Sequence, residues 1–264
     1  MKKTLSLVAV LMVVGVAATP AQAAKHYVSG FGGISWMQNL KTSDTYTFAA
    51  PESNFTSDND LGSGLALTGA IGCDYGSYRL EAEVGYQTND VKSIALFDNG
   101  AANNDFYSGT AGTPTNRADM RGDVSVLSLM GNGYYDIDLG GKVEFYATAG
   151  VGVAQVSLHN VNRANSVVRT GDGDQTPYTY TYPATTDPGY NGHETTLAWQ
   201  VGAGIAAPIA DNVKLDLRYR YFATTDFTLD GLGSGAAAHS GGNTNSANTN
   251  LSSHSVLLGL RVDF

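Results

Sequence analysis

The chain has little cysteine, little proline and few basic residues. One residue is cysteine (Cys73) and seven are proline. A single cysteine excludes an internal disulfide, and with it the small secreted domains that disulfides hold together. After the first 23 residues no apolar run approaches the roughly 18 residues that a transmembrane helix needs. With 15 Lys and Arg against 24 Asp and Glu, the acidic balance argues against nucleic-acid binding.

The first 23 residues have the pattern of a secretory signal peptide. Lys2 and Lys3 precede the apolar stretch TLSLVAVLMVVGVAA, and the segment ends on the small-residue cleavage pattern AQA. We therefore assign residues 1–23 to a signal peptide and residues 24–264 to one mature domain. Removing the two lysines leaves 13 basic against 24 acidic residues, so the mature domain carries a net charge near −11.

The mature chain is rich in glycine and in segments where apolar and polar residues alternate. In VKLDLRYRYFA, Leu215, Leu217 and Tyr219 share one face, and charged residues occupy the other. This period of two predicts β-strands. Eight strands are predicted, at about 26–36, 64–74, 77–88, 123–137, 141–156, 195–208, 212–225 and 253–264. The facing of the first, second and fourth strands is left open, because they are rich in Gly and Ser.

The connections between these strands alternate between two lengths. Those after the second, fourth and sixth strands are a few residues long (YGS, LGG and AD), whereas the other four run to about 25 to 40 residues. An even number of antiparallel strands with this alternation is typical of outer-membrane β-barrels, which have short periplasmic turns and long extracellular loops.

Alternation alone does not distinguish a membrane barrel from a soluble β-sandwich. In a soluble exported binding module the apolar faces, including Leu217 and Tyr219, would be buried against protein. The signal peptide, the loop asymmetry and the glycine-rich polar faces favour the barrel. Aromatic residues near the predicted strand ends also favour it, as in the girdles at membrane interfaces: Tyr78, Tyr86, Trp199, Tyr221 and Phe264.

The mature chain resembles the small eight-stranded outer-membrane proteins, such as the OmpA barrel domain and the neisserial opacity proteins. The resemblance extends from HYVSGFGGISW through SVLSLMGNGYYDID and ETTLAWQVGAGIA to LDLRYRYF and LLGLRVDF. It implies a closed eight-stranded antiparallel up-and-down barrel in the bacterial outer membrane, in contact with its lipids. No counterpart of the periplasmic peptidoglycan-binding domain of OmpA is present, so a cell-wall tether is not expected.

The resemblance also implies a signal at the C-terminus that the barrel-assembly machinery reads. In such proteins it consists of a final aromatic residue with apolar residues at alternate positions before it. The matching residues here are Phe264, Val262, Leu260 and Leu258.

Side chains just fill the interior of an eight-stranded barrel, so no wide channel is expected. We predict a network of charged side chains in the lumen, because a narrow interior tolerates charges that are paired. Its members are Glu81, Glu83, Glu144, Asp216, Arg218, Arg220 and Arg261. The network is either a structural plug or an ion pathway gated by rearrangement of the pairs.

Chemistry-bearing motifs are scarce. His193 and His254, in HE and SSHS, have no recognisable catalytic spacing and are predicted in or beside loops, as are His159 and His239. The acidic stretches GDGD and SDND lack the register of a calcium loop and are interpreted as solvated loops. The sequence therefore predicts no enzyme, no metal site and no cofactor.

The predicted long loops suggest the function. The second, at about 89–121, and the third, at about 157–193, contain aromatic and turn-forming residues that suit recognition on a rigid scaffold. We predict a structural or surface-interaction role, similar to adhesion, in which the loops contact an extracellular ligand or a host surface. A narrow porin-like channel for ions or small solutes is the alternative, beside the soluble sandwich.

Overall fold

A computed structural model describes residues 25–38, 40–46, 53–98, 116–137, 139–169, 178–180, 190–230 and 246–264. The predicted signal peptide lies outside the described residues. In the described part of the chain the regular elements are all β-strands, and no helix is long and apolar enough to cross a membrane.

Twelve strands follow one another in the described residues. They are β1 (Lys25–Met37), β2 (Leu40–Tyr46), β3 (Ser53–Asp74), β4 (Tyr78–Asp98), β5 (Asn116–Ile137), β6 (Glu144–Arg169), β7 (Tyr178–Tyr180), β8 (Tyr190–Ala210), β9 (Val213–Thr224), β10 (Phe227–Asp230), β11 (Ser246–Thr249) and β12 (Ser252–Asp263).

Eight of these strands form a closed antiparallel barrel, as the sequence predicts. The order is β1, β3, β4, β5, β6, β8, β9 and β12, and β1 closes the barrel because it pairs with both β3 and β12. At the closure, Val28 lies opposite Ile71 on one side and Val262 on the other. The short strands β2, β10 and β11 continue the wall at one end, and β7 pairs with β6.

The two ends of the barrel differ in their connections. The turn end carries the tight turns after β3, β5 and β8, together with Lys25 and Phe264, whereas the loop end carries the long connections. Gly76 and Gly140 lie in two of the tight turns with positive φ angles of 93° and 78°. Residues with a Cβ atom adopt this conformation at a cost, so glycine suits both positions.

The strands are longer at the loop end than the sequence pattern predicts. Residues 53–63 belong to β3, 89–98 to β4 and 157–169 to β6, all outside the predicted strands. The predicted loops at 89–121 and 157–193 were therefore too long. The cause is a change of phase, because the apolar residues of β6 are at odd positions up to Val153 and at even positions from Ala154. A strand that is predicted from alternation therefore ends where the alternation reverses, although the strand in the structure continues.

The apolar faces of the eight strands point outward over a band next to the turn end. Leu217 and Tyr219 are 43% and 46% exposed, which contradicts the sandwich alternative. On five neighbouring strands the outward apolar row reaches Leu65, Tyr86, Leu127, Val153 and Leu197, and the next residue of the same row toward the loop end is polar: Ser63, Thr88, Ser125, Gln155 and Thr195. From Tyr78 to Tyr86 on β4 and from Leu127 to Ile137 on β5 the band covers about nine to eleven residues, the length that a tilted strand needs to cross a bilayer.

The structure also gives the facing of the three strands that the sequence left open. In β1, Tyr27 and Phe31 point inward, whereas Val28 and Ile34 are exposed on the outer wall. Leu65 and Leu67 of β3 point outward, as do Leu127 and Leu129 of β5. All eight strands therefore place apolar residues outside over the band, and their inner faces carry mostly polar or small residues, with larger side chains such as Tyr27, Phe31 and Met130 among them.

Glycines in the lumen make room for bulky inward side chains. A Cβ atom on Gly72 would overlap the ring of Tyr27, and one on Gly204 would overlap the hydroxyl group of Tyr146. In an eight-stranded barrel the interior is narrow, so a large side chain from one strand needs a small residue on the strand that it faces.

Candidate functional site: the barrel lumen

The middle of the lumen holds two acidic residues of β4 and two arginines of β9, which we name the central charge layer. It consists of Glu81, Glu83, Arg218 and Arg220, all of them buried. The Arg218 Nη1 atom lies 3.1 Å from Glu83 Oε2 and 3.9 Å from Glu81 Oε1. The Arg220 Nη1 atom lies 3.6 Å from Glu83 Oε1. Glu83 therefore joins both arginines across the barrel.

Neutral side chains complete the contacts of this layer. Glu81 accepts hydrogen bonds from the hydroxyl groups of Tyr134 at 2.6 Å and Tyr27 at 3.1 Å. Glu83 accepts one from the Gln200 amide at 3.2 Å. Hydrogen bonds of this kind offset part of the desolvation cost of buried charges.

Asp216 enters the network through a tyrosine. It accepts a hydrogen bond of 2.5 Å from the Tyr146 hydroxyl, which in turn accepts one of 3.2 Å from Arg218 Nε. In the described residues no basic side chain lies within ion-pair distance of Asp216. The Arg218 guanidinium also lies over the Phe31 ring, 4.0 Å from its centroid.

A second set of charges, the turn-end charge group, lies between the central charge layer and the turn end of the barrel. Its members are Glu144 of β6, Lys214 of β9 and Arg261 of β12; Glu144 pairs with Lys214 and, at 2.6 Å, with Arg261. Nearby, Arg79 of β4 holds Asp136 of β5 with two nitrogens, at 2.7 and 2.8 Å. Two nitrogens on one carboxylate fix the geometry of this pair.

The structure thus divides the seven predicted lumen residues. Glu81, Glu83, Arg218 and Arg220 form the central charge layer, with Asp216 attached through Tyr146, and Glu144 and Arg261 lie in the turn-end group. The sequence reasoning missed Arg79, Asp136 and Lys214. Each occupies one of the alternate positions of its strand whose side chains point into the lumen, since Arg79 and Lys214 alternate with outward apolar residues. That signal was available in the sequence.

The loop end of the lumen is apolar. Above the central charge layer, Gln87 accepts a hydrogen bond of 3.1 Å from Arg220, and Asn89 donates to two backbone carbonyls. Beyond them lies the loop-end apolar cluster, formed by Met37, Leu61, Val91, Val124, Val126, Met130, Ala154, Val156, Leu158, Ala198, Phe222, Phe227, Leu229 and Leu251. The alternation of the sequence does not predict this cluster, because the phase change resembles the end of a strand.

Some histidines and one acidic stretch lie in strands rather than in the predicted loops. His159 and His193, predicted in a loop or at its edge, lie in β6 and β8, whereas His254 lies in β12, within the predicted strand at 253–264. SDND lies in β3, whereas GDGD and His239 lie outside the described residues. In the described part of the chain no group of three His, Cys, Asp or Glu side chains could hold a metal ion.

The four C-terminal residues of the predicted assembly signal point away from the lumen. Leu258, Leu260 and Val262 lie on the outer wall of β12, and Phe264 is 74% exposed at the turn end. The backbone of Phe264 exchanges two hydrogen bonds with His26 of β1, at 2.8 and 3.2 Å. The last residue therefore takes part in closing the barrel.

The chain matches a protein-family model over residues 6–264, and that family is described as the outer membrane protein β-barrel domain. Similar solved structures include Neisserial surface protein A (NspA), with 14% identity and a TM-score of 0.46 over 90% of this chain and 97% of that chain. The outer membrane protease OmpT of Escherichia coli has 11% identity and a TM-score of 0.45, over 94% and 99%.

OprG of Pseudomonas aeruginosa has 11% identity and a TM-score of 0.48, over 91% of this chain and 96% of that chain. None of the curated protein sequences compared with the chain matches it significantly. None of the solved structures supports a transfer of function to this chain.

We predict that Glu83→Ala destabilises the barrel by about 3–5 kcal/mol, because it leaves two buried arginines without a shared partner. The double variant Glu83→Ala/Arg218→Met should lose less than the sum of the two single variants. The measurement is guanidinium unfolding in phosphatidylcholine vesicles. Lys214→Ala is the control and should cost less, about 1 kcal/mol, because its partner Glu144 is 36% exposed and keeps its pair with Arg261. Additive losses would show that Glu83 and Arg218 are not energetically coupled.

Proposed function

The chain belongs to the outer membrane protein β-barrel domain family, and we propose that it is a closed, non-conducting scaffold that holds its extracellular segments for contact with partners outside the cell. In the outer membrane its band contacts lipid, the turn end faces the periplasm and the loop end faces the exterior. The observation that carries the proposal is the occlusion of the lumen by two different kinds of layer.

The two layers oppose the passage of solutes for different reasons. In the central charge layer, Glu83 is fully buried between Arg218 and Arg220, so an ion that passes must displace paired charges. The loop-end apolar cluster offers no hydrogen-bonding partners to an ion or to water, and a charge transferred into it loses its hydration. Opening one layer leaves the other closed.

The part of the barrel wall beyond the band supports the proposal that the barrel holds its extracellular segments for contact with partners. β4 continues to Asp98 and β6 to Arg169, well past Tyr86 and Val153, where the outward apolar rows of the band stop. The loop-end apolar cluster packs inside the first part of this extension, up to Val91 of β4 and Leu158 of β6. One of them, PYTYTYPATTDPGY at 177–190, combines four tyrosines with three prolines; most of it lies outside the described residues. Tyrosine gives large contact area at a low entropic cost.

The proposal includes a non-enzymatic role. Covalent catalysis of the triad type needs a nucleophile, a base hydrogen-bonded to it and a group that orients the base. His159 and Asp123 contact each other at 3.1 Å, but both side chains are more than two-fifths exposed. In the described residues no hydroxyl group is hydrogen-bonded to His159.

We propose that the barrel-assembly machinery recognises the C-terminal residues Phe264, Val262, Leu260 and Leu258. Phe264→Ala should reduce the amount of folded barrel in the outer membrane several-fold and leave refolding into detergent unchanged, because the substitution removes the recognition signal and few contacts. The measurement is the heat-dependent shift on SDS gels of outer-membrane fractions. Ile137→Ala, also outward at the turn end, is the matched control. Equal yields of the two variants would contradict the proposal.

The alternative function is a narrow channel gated by the charge layers. Several buried polar atoms of the lumen have no hydrogen-bond partner in the described part of the chain, among them Arg220 Nε, Asp216 Oδ2 and Arg261 Nη1. Such atoms suit a lumen whose pairs rearrange. The loop-end apolar cluster favours the closed scaffold over the channel.

Conductance in planar bilayers distinguishes the two functions. We expect the folded chain to show no steady conductance, and the double variant Glu83→Ala/Arg218→Ala to stay closed, because the apolar cluster still blocks the lumen. Channel steps in the wild type that change when Glu81, Glu83 or Arg218 is altered would instead support the gated channel.

Attachment of bacteria tests the surface role. Escherichia coli cells that produce the chain should attach to cultured epithelial cells more than empty-vector cells do. Replacement of Tyr178, Tyr180 and Tyr182 by serine should reduce the gain several-fold, because it removes the aromatic contact area. The control replaces Thr179 and Thr181 by serine, with equal amounts of folded barrel checked on gels. Attachment no greater than that of empty-vector cells would exclude this role for the surface tested.

A further inference from the structure

An open groove lined by polar residues together with Leu158 and Gly192 lies on the outer wall of the barrel, between β6 and β8 and directly beyond the lipid-facing band. Its volume is about 380 Å³. Its polar lining comes from Gln155, Ser157 and His159 of β6 and from Asn191 and His193 of β8. These residues continue the outward-facing rows of the two strands, which are apolar up to Val153 and Leu197.

Two irregularities of the sheet form this groove. The pairing of β6 with β8 shifts between Leu158 and Val161, and Asn160 between them is the one described non-glycine residue with a positive φ angle, 49°. The Asn160 N–H donates to the Asn191 side chain at 3.0 Å, which holds the bulge in place. On the other side of β6 the pairing with β5 shifts at Gly122, where φ is 118°. Such bulges redirect side chains and are over-represented next to active sites, and Asn and Gly are residues that adopt a positive φ angle readily.

The acidic neighbour of the groove orients one of its histidines. His159 Nδ1 lies 3.1 Å from Asp123 Oδ2, on the adjacent strand β5. The contact occupies one ring nitrogen, and Nε2 has no partner in the described part of the chain. His193, opposite Ser157 in the ladder, also has no described hydrogen bond. The groove thus presents imidazole, hydroxyl and amide groups, with no lysine or arginine in its lining.

The lipid-facing surface continues into the groove without a break. Val151 and Leu197 are 70% and 59% exposed on the outer wall, and Leu197 pairs with Val153. A molecule in the groove therefore has hydrogen-bonding groups at one end and an apolar wall at the other, at the level where the bilayer meets water.

We propose that the groove binds the sugar headgroup of a glycolipid in the outer leaflet, with the acyl chains lying along Val151, Val153 and Leu197. The neutral hydrogen-bond donors and acceptors of the groove suit a group with many hydroxyls. The adjoining apolar wall suits a lipid rather than a soluble glycan. The inference goes beyond the scaffold function and depends only on the location of the barrel in the outer membrane.

Retention of rough lipopolysaccharide by the purified full chain, measured by native mass spectrometry and by the increase in unfolding temperature, tests the proposal. We expect His159→Ala/His193→Ala to bind about tenfold more weakly than the wild type, because two hydrogen bonds are lost. Ser157→Trp, which fills the groove, should weaken binding at least as much. His254→Ala, on the outer wall away from the groove, should bind like the wild type.

Two further probes distinguish binding of the intact glycolipid from binding of its lipid part or its sugar part alone. Phosphatidylcholine alone and the lipid-free core oligosaccharide should each give little stabilisation. Equal binding of lipopolysaccharide by the wild type and by Ser157→Trp would overturn the proposal, as would oligosaccharide binding as tight as that of the intact glycolipid. The heat-dependent gel shift verifies that each variant is folded; if the double histidine variant is not, the result with Ser157→Trp decides.

Discussion

The pairing of β1 with both β3 and β12 is the interaction on which the rest of the structure depends. Inside a bilayer an unpaired N–H or C=O group has no water to bond, so a sheet can span only if it has no edge. Residues such as Val28, with Ile71 on one side and Val262 on the other, remove that edge. Once the sheet is closed, every side chain in the band points either to lipid or to the lumen.

That division explains why the charged side chains of the interior are buried and paired. Glu81, Glu83 and Arg218 alternate with residues that must face lipid, so they have no solvent to reach and are paired across the lumen. Glycine is needed on the same faces, since Tyr27 and Tyr146 occupy the space that a side chain at Gly72 or Gly204 would fill. Closure, charge pairing and glycine placement are thus consequences of one narrow barrel.

Alternation was sufficient, together with the connection lengths that favoured a barrel over a sandwich, to predict the eight strands and the inward parity of residues such as Glu83 and Arg218. It was not sufficient to predict their grouping, because the height of a side chain in the lumen depends on the register between strands. Glu144 therefore lies with Lys214, apart from the central charge layer. The loop-end extensions of strands such as β6 were not predicted for another reason. At Val153 and Ala154 the apolar residues change from the outer to the inner face of the strand, and a pattern of fixed period two ends at such a change.

The change of phase has a consequence for the depth of the barrel in the bilayer. On one side of it the wall is apolar outside and polar inside, and on the other side, at Val156 and Ser157, the reverse holds. A vertical displacement of the barrel would expose Val151 to water or bring Gln155 into the acyl chains. The strands themselves therefore set the hydrophobic thickness, and a bilayer of different thickness has to adapt around the protein by local stretching or thinning.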